Sequence, residues 1–383
     1  MELTTSDMAS GGDAVARNAE GKAIFVRGAL PGERVRVKVL DDHATYAVGS
    51  IERVIEASPH RIAPPCPEVE RGCGACQWQH ISIEAQRRLK TGFVVEAVQR
   101  AGLECPVPSP TVELAPWHFR TTIDAAVSDG RAGFLRARSH EVVPVRSCLV
   151  AHPLLEELLV EARYPGAREV LLRCGAHTGE RLAATTPSGL GAGLPDDVRS
   201  GHFHEHAAGR RWRVSARSFF QSRPDGADAL AAIVEAAADE LGTPSTAADL
   251  YSGVGLFAGV LAARGWKVTA VEGSQSAFAD AQVNLRGLEV TVKRIDVTKW
   301  APTPVALVVA DPSRIGLRRE GVGVVAATGA RRVVLVSCDA AGLGRDAKLL
   351  QEAGYGLTGV TLVDLFPHTF RVEAVTIYDR VGP

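Results

Sequence analysis

Apolar positions along the first 60 residues form short runs that are separated by turn residues. The runs cover residues 23–26, 34–40 and 46–51, with Gly, Pro or Asp between them. Short runs with this punctuation are typical of strands joined by tight turns. In the second run, cations alternate with valines, so one face of that strand is basic while the other enters a core. The pattern predicts a small all-β barrel, whose basic face suits either a phosphate backbone or plain solvent.

The pattern changes in the middle of the chain. Residues 81–101 place apolar side chains at helical spacing, which predicts one amphipathic helix. A β-rich section follows over residues 117–145 and contains Arg120, Phe134 and Arg136. Basic side chains beside an aromatic ring suit single-stranded RNA, which needs phosphate contacts and a stacking platform. An amphipathic hairpin with exposed arginines is an equally good interpretation of the same residues.

After residue 211, apolar runs alternate with helical patterns, and each run ends in a turn or an acid. The first predicted strand breaks into a G-x-G turn at Gly253, and the next three end in Glu272, Asp296 and Asp311. Glycines let a backbone close around a ligand, and an acid about twenty residues further on is placed to bind ribose hydroxyls. A third glycine at the dinucleotide spacing is missing, which favours S-adenosylmethionine over NAD. A degenerate nucleotide-binding core is the alternative.

A later strand, residues 333–336, ends in Ser337, Cys338 and Asp339. Open α/β sheets bind their ligands at the carboxyl ends of the strands. A cysteine in this position is either a small packed side chain or a nucleophile. The stretch alone favours packing, whereas its place downstream of the glycine turn favours the nucleophile.

The chain has seven cysteines, and three of them lie close together in the sequence. Cys73 and Cys76 form a C-x-x-C motif, and Cys66 precedes them in a Pro-rich stretch. Cys148 is the candidate for a fourth thiolate. Four thiolates suit a [4Fe-4S] cluster or a structural zinc ion, and the spacing cannot separate the two. A redox C-x-x-C is a third interpretation, but no thioredoxin-like βαβ pattern surrounds it.

Composition limits the class of protein. A chain of 383 residues with 46% hydrophobic and 23% charged residues is long enough for two or three globular domains. The formal net charge of -1 means that a nucleic-acid partner has to be bound by local basic patches. We find neither a secretory signal nor a membrane-spanning stretch and therefore expect a cytoplasmic protein.

Taken together, these motifs resemble the RNA uracil-5 methyltransferases, of the TrmA/Rum type, over essentially the whole chain. The matching segments are the barrel, which resembles a TRAM domain; Cys66, Cys73, Cys76 and Cys148; Phe219-Phe220-Gln221; residues 249–257; residues 311–316; Ser337-Cys338 with Arg345-Asp346; and residues 364–373.

The resemblance implies a multidomain α/β fold. It places an OB-like TRAM barrel for RNA binding at residues 1–60, a central β-rich iron–sulfur domain at 61–210, and a Rossmann-like class I methyltransferase domain at 211–383. The helix at 81–101 is expected to pack on the catalytic domain. The resemblance also favours a [4Fe-4S] cluster over zinc, and it implies that the cluster is structural or assists RNA binding.

The implied reaction is S-adenosylmethionine-dependent methylation of uridine C5 in RNA. Cys338 would add to C6 and Glu373 would remove the C5 proton. Arg314 would face the RNA or the developing enolate oxygen. The residues expected to contact S-adenosylmethionine are Gln221, Tyr251, Gly253, Glu272, Asp296 and Asp311.

The expected substrate is 23S ribosomal RNA, because relatives with both a TRAM barrel and cluster cysteines often act on it. The T-loop of transfer RNA is the alternative substrate. A non-catalytic RNA-binding or assembly protein is the alternative of another class. We expect no obligate protein partner and no membrane.

Four positions depart from the family pattern: Ser313, Asp339, Ala340 and Arg371. Asp339 stands where Asn is usual, directly after the proposed nucleophile. A carboxylate there would disfavour the thiolate unless it is paired. We therefore expect Asp339 to be paired with a cation or turned away from the sulfur.

Overall fold

The computed structural model describes residues 1–189, 194–199 and 201–382. The strands are β1 (Glu2–Met8), β2 (Ala14–Arg17), β3 (Ala23–Arg27), β4 (Arg34–Asp42), β5 (Tyr46–Glu56), β6 (Ser109–Val112), β7 (Thr122–Ser128), β8 (Arg131–Leu135), β9 (Val142–Pro144), β10 (Glu169–Cys174), β11 (Arg181–Thr186), β12 (Val198–Arg199), β13 (His202–Ala207), β14 (Arg210–Ser215), β15 (Thr246–Leu250), β16 (Lys267–Glu272), β17 (Val290–Arg294), β18 (Leu307–Ala310), β19 (Arg332–Ser337), β20 (Tyr355–Val363) and β21 (Ala374–Arg380).

The helices are α1 (Ile83–Arg100), α2 (Pro153–Val160), α3 (Pro224–Asp239), α4 (Leu256–Ala263), α5 (Gln275–Asn284), α6 (Arg318–Ala327) and α7 (Ala340–Glu352), with a 3-10 turn at Val297–Lys299. Among the described residues, none of these helices is both long and apolar enough to cross a membrane.

The chain divides into two compact units that interleave along the sequence. The first unit comprises Met1–Phe93, Leu135–Val143 and Phe366–Arg371, and the second comprises Val94–Phe134, Pro144–Leu365 and Val372–Pro383. The central range expected from the sequence, residues 61–210, contributes to both units. The expected three-domain division stays a prediction.

The first unit contains the barrel that the turn pattern predicts. Strands β1 to β5 close in the order β1-β2-β3-β5-β4. Valines of β4 point into the core, and its arginines point outward. Arg34 pairs with Glu56 and Glu2, and Arg36 pairs with Glu2. The basic face of this strand is therefore largely neutralised by the barrel's own carboxylates, which the sequence pattern alone did not indicate.

The second unit is built on an eight-stranded sheet with the order β17-β16-β15-β18-β19-β21-β20-β6. Strands β15 to β19 pair in parallel, and β21 runs antiparallel between β19 and β20. The residues of β18 and residues 333–336 of β19 are fully buried, as expected for strands covered by helices on both faces. This is a doubly wound sheet, and its carboxyl edge is the expected ligand side.

Two further β structures and one helix contact complete this unit. A six-stranded sheet has the order β12-β11-β10-β7-β8-β9, and β13 with β14 forms a separate hairpin. Helix α1 forms at the predicted position. Its residue Ala97 lies against α7 so closely that a Cβ added to Gly344 would be 2.4 Å from the carbonyl oxygen of Ala97. Glycine is therefore required at this helix crossing.

Candidate active site

Five of the predicted site residues come together at the carboxyl edge of the eight-stranded sheet. Gly253 follows β15, Glu272 ends β16, Asp311 follows β18 and Cys338 follows β19. Because β21 runs antiparallel, Glu373 enters the same edge from the start of that strand. One thiol and three carboxyl groups therefore lie at this edge of the sheet.

Cys338 and Glu373 are neighbours across one strand pair. The last residues paired between β19 and β21 are Ser337 and Ala374, so the next position on each chain carries the thiol and the carboxyl group. Residues facing one another in an antiparallel pair have Cα atoms about 4.5–5.5 Å apart. Glu373 is 4% exposed, and Cys338 is partly exposed. A substrate atom can therefore reach the thiol while the carboxyl group beside it stays dry.

The site favours protonated groups. Burial raises the pKa of Cys338 to about 11, the charges of Glu373 and Asp311 raise it as well, and Arg314 acts in the opposite direction. Burial and the charge of Asp311 hold the pKa of Glu373 well above its ordinary value. Burial also raises the pKa of Asp311 to about 7, although a hydrogen bond from Gln221 acts to lower it. The thiol is therefore neutral at pH 7 until a cation or a proton acceptor approaches it.

A pocket beside these groups carries four of the six predicted cofactor residues. Its lining consists of Phe219, Phe220, Gln221, Tyr251, Ser252, Gly253, Val254, Leu256, Phe257 and Asp311. The Nε2 atom of Gln221 donates to Oδ2 of Asp311 at 3.1 Å, which ties two walls of the pocket together.

The glycine turn of this pocket needs its glycines. Gly255 has a φ of +96°, and a Cβ added there would be 2.7 Å from the Leu285 side chain. Two buried polar atoms near the turn, Oδ1 of Asp249 and Oγ of Ser252, have no hydrogen-bond partner among the described residues. Ser252 lines the pocket, so a polar ligand such as S-adenosylmethionine would satisfy its hydroxyl group.

The other two predicted cofactor residues lie next to this turn. Glu272 accepts hydrogen bonds from the backbone N–H groups of Gly253 at 2.8 Å and Ser274 at 2.6 Å. Each carboxylate oxygen keeps lone pairs for a ribose hydroxyl. Asp296 accepts hydrogen bonds from Thr298. Burial raises the pKa of Tyr251 to about 12, and the charge of Asp296 adds to the rise. Both acids are thus near the pocket although neither lines it.

Asp339 is paired, but its partner is not a cation. Its Oδ2 accepts from the backbone N–H of Gly342 at 2.6 Å, so the side chain caps helix α7. A carboxylate at a helix N-terminus is stabilised by the capping bond and the helix dipole. The carboxyl groups that raise the pKa of Cys338 are instead Glu373 and Asp311.

The loop that carries Arg314 is held by the Arg345-Asp346 pair. Asp346 is buried and accepts from the backbone N–H groups of Leu317 at 2.7 Å and Arg318 at 3.1 Å. Arg345 donates to the carbonyl oxygen of Ile315 at 2.5 Å. The sequence motif singled out this pair without indicating what it does.

Comparison with known proteins identifies the family. A model of the TRAM domain matches residues 1–51. An uncharacterized RNA methyltransferase from Streptomyces avermitilis is 36% identical over 99% of this chain and 98% of its own length. The 23S rRNA (uracil(1939)-C(5))-methyltransferase RlmD from Pectobacterium atrosepticum is 29% identical over 99% of this chain and 93% of its own length. The chain belongs to the RNA methyltransferase family.

A solved structure of a tRNA uracil-5 methyltransferase has the same fold as this chain. The Pyrococcus abyssi tRNA (uracil-54, C5)-methyltransferase, in complex with S-adenosyl-L-homocysteine, matches with a TM-score of 0.76 at 21% identity. The match covers 99% of this chain and 100% of that one. The predicted TRAM barrel and class I methyltransferase fold are confirmed.

The four residues expected to bind RNA differ from one another in exposure and in their present partners. Arg314 is exposed, and its positive charge acts to lower the pKa of Cys338. Arg120 and Phe134 are partly exposed. Arg136 is bound through both ends of its guanidinium group to Glu141, at 2.7 and 2.8 Å. The roles of these four residues stay predictions, and Arg136 has to exchange a partner before it can bind a phosphate.

The predicted cluster cysteines do not form a metal site as placed. Burial raises the pKa of Cys73, and the neighbouring Cys66 contributes to the rise. In residues 1–189, 194–199 and 201–382, no three Cys, His, Asp or Glu side chains gather closely enough to hold a metal ion. The expected central iron–sulfur domain is therefore not shown by the structure.

Proposed function

We propose that this methyltransferase converts uridine to 5-methyluridine in 23S ribosomal RNA by covalent catalysis. The observation that carries the proposal is that Cys338 and Glu373 directly follow and precede the last pair of the β19–β21 ladder, Ser337 and Ala374, beside the pocket lined by Gln221 and Asp311. The relative named for 23S rRNA supports this substrate over transfer RNA, and the TRAM barrel supports RNA as the partner.

The first step is addition of Cys338 to the ring. Uracil C5 is a poor nucleophile, so a thiolate has to attack C6 and move the electron pair of the C5–C6 bond toward O4. The partly exposed thiol gives its proton to solvent water, the thiolate forms the S–C6 bond, and the C5–C6 electron pair moves to give an enolate. Arg314 lowers the pKa of this thiol and is placed to stabilise the negative charge that develops.

The methyl group comes from the pocket beside the thiol. Bound S-adenosylmethionine supplies an electrophilic methyl group, which the enolate carbon C5 takes up. Gln221, Tyr251, Gly253 and Asp311 hold it in the pocket, and Glu272 and Asp296 bind it from beside the glycine turn. A uridine within folded RNA has to flip out of its stack to reach this edge.

The last step needs a base, and Glu373 is beside the ring. Glu373 takes the C5 proton, and the C5–H electron pair forms the C5=C6 double bond. The C6–S bond breaks at the same time, which releases Cys338 as a thiolate. Because burial raises its pKa, the ionised form of Glu373 is a stronger base than an ordinary carboxylate. Arg120, Phe134 and Arg136 are proposed to contact the RNA around the flipped nucleotide.

The test is methyl transfer to RNA from cells that lack the gene. The purified protein is incubated with labelled S-adenosylmethionine and total RNA, which is then separated by size. Label in 23S rRNA, found as 5-methyluridine after digestion, is the expected result. Label in the transfer RNA fraction would favour the T-loop alternative. No label in any RNA would favour the non-catalytic RNA-binding protein.

We further propose that Cys66, Cys73, Cys76 and Cys148 bind a [4Fe-4S] cluster. The support is the family resemblance and the closeness of Cys66 to Cys73; no catalytic step depends on it. Anaerobically purified protein should contain about four iron atoms and show visible absorbance, and Cys73→Ser should lose both, whereas Cys105→Ser should not. Iron-free protein that is folded and active would contradict this proposal. The cytoplasmic location expected from the sequence stays a prediction.

A further inference from the structure

Helix α5 carries two buried polar side chains that take no part in the proposed chemistry. Asp280 is 0% exposed and Asn284 is 9% exposed. They are four residues apart and so lie on the same face of the helix. Both are directed at main chain that leads into the cofactor pocket.

Asp280 holds the turn at residues 215–218, which directly precedes Phe219. Its Oδ2 accepts from the backbone N–H of Ser215 at 2.7 Å and from Oγ of Ser218 at 2.6 Å. Its Oδ1 accepts from Oγ of Ser215 at 2.9 Å and from the guanidinium group of Arg213. Four donors thus converge on one buried carboxylate, the strongest kind of anchor that neutral and charged donors offer.

Asn284 joins the same segment to the glycine turn. Its Nδ2 donates to the carbonyl oxygens of Arg213 and Val254, both at 3.0 Å, and its Oδ1 accepts from the backbone N–H of Arg213 at 2.8 Å. Val254 lies between the two glycines that shape the pocket. The Asn284 side chain therefore fixes the distance between strand β14 and the glycine turn at residues 253–255.

A buried arginine holds the 215–218 turn from another element. Arg173, on β10, is 3% exposed and donates to the carbonyl oxygen of Ser218 at 2.5 Å and to that of Ala216 at 3.2 Å. The turn is thus fixed at its side chains by Asp280 and at its carbonyl groups by Arg173. The three residues that follow it, Phe219 to Gln221, all line the pocket.

We propose that Asp280 and Asn284 are positioning residues for S-adenosylmethionine binding. They act through the 215–218 turn and Val254, which set two walls of the pocket, and neither touches the ligand. The inference rests on the proposed function for the identity of the ligand. It predicts that substitutions on α5 weaken cofactor binding without weakening RNA binding.

Asp280→Asn is the sharpest test because no orientation of the amide suits the site. Either the amide NH₂ faces the backbone N–H of Ser215, or it faces the guanidinium group of Arg213, and neither can accept a hydrogen bond. We expect the Kd for S-adenosylhomocysteine, measured by calorimetry, to rise about tenfold. RNA affinity in a gel shift should stay unchanged. Hydrogen exchange of residues 215–221 should become faster in the ligand-free protein.

Asp379→Asn is the matched control. Asp379 accepts two hydrogen bonds from Arg332, at 2.7 and 2.9 Å, at the opposite end of the sheet. This variant should lose stability and bind S-adenosylhomocysteine as the wild type does. Equal weakening by Asp379→Asn would show that the Asp280 effect is merely structural and would overturn the inference.

Ser218 supplies a second pair of variants if Asp280→Asn does not fold. Ser218→Ala should raise the Kd about threefold, and Ser218→Thr, which keeps the hydroxyl, should restore it. Wild-type affinity and wild-type exchange in Asp280→Asn or Ser218→Ala would refute the positioning role. The proposed function fails separately, if the wild-type protein methylates no RNA, because exchange and ligand affinity do not depend on RNA.

Discussion

Glu373→Gln should separate the two halves of the proposed reaction. Glutamine has nearly the same shape as glutamate but cannot take a proton from C5. Ionised Glu373 raises the pKa of Cys338 further than burial alone, and glutamine cannot ionise, so the substitution should not hinder thiolate formation. Addition and methyl transfer should therefore continue, while elimination stops. The variant should accumulate a covalent, methylated adduct with RNA.

The size of the effect follows from the position of the carboxyl group. A general base contributes about 10²–10⁴-fold, and Glu373, at 4% exposure, leaves little room for water to replace it. We expect turnover to fall about a thousandfold, with one methyl group transferred per enzyme. Labelled RNA that stays with the protein on a denaturing gel reports the adduct. Trypsin cleaves after Arg332 and Arg345, so mass spectrometry should find the adduct on residues 333–345.

Asp379→Asn again supplies the control, because it removes a partly buried carboxylate from the other end of strand β21. It should turn over and release its product. Glu373→Gln with turnover within about threefold of the wild type would refute the assignment of the base. Loss of turnover without any adduct would refute the order of steps.

Substitutions at Asp339, Asp311 and Gly344 test separate parts of the mechanism and the fold. Asp339→Asn keeps a capping oxygen and should leave the pH profile of methyl transfer unchanged, whereas Asp339→Ala should lower the free energy of unfolding by about 1 kcal/mol; a shifted profile for the Asn variant would contradict the capping role. Asp311→Asn removes a charge that raises the pKa of Cys338, so the limb of the pH–rate profile that reports thiolate formation should move to lower pH, and an unmoved limb would count against this charge. Gly344→Ala should cost about 1–3 kcal/mol in denaturant unfolding because its Cβ would overlap a carbonyl oxygen, while Gly323→Ala, in open space on α6, should gain up to about 1 kcal/mol; equal changes would contradict the close helix crossing.

The catalytic edge was predictable because parallel sheets repeat one arrangement. Each predicted strand ended in a turn or an acid, and parallel strands bring such ends together. Gly253, Glu272 and Asp311 therefore meet where the sequence placed them. Glu373 was assigned from a motif match, and the antiparallel strand that brings it beside Cys338 could not be inferred from periodicity.

Partners across the fold were not predictable. The sequence showed cations on β4 and near Phe134, but not that Glu2, Glu56 and Glu141 pair with them. Such pairings leave no periodic signal in the sequence, because they depend on how strands and turns pack in the finished fold.

The anchoring role of Asp280 was hidden for the same reason. It is an ordinary acid in an Ala-rich helix, and its four donors come from residues more than sixty positions away. Asp339 illustrates the opposite case. Asp339 directly precedes a helix, a position that predicts a helix cap. The structure has this cap, whereas the sequence-based expectation concerned the charge of Asp339 beside Cys338.

Covalent capture with RNA containing 5-fluorouridine tests the central claim most directly. Fluorine at C5 cannot leave as a proton, so an enzyme that adds Cys338 to C6 remains attached to its RNA after methyl transfer. We predict a denaturation-resistant complex with 23S rRNA in the presence of S-adenosylmethionine, located on residues 333–345, and none with Cys338→Ala. A Cys338→Ala variant that still methylates uridine or still forms the complex would contradict the account.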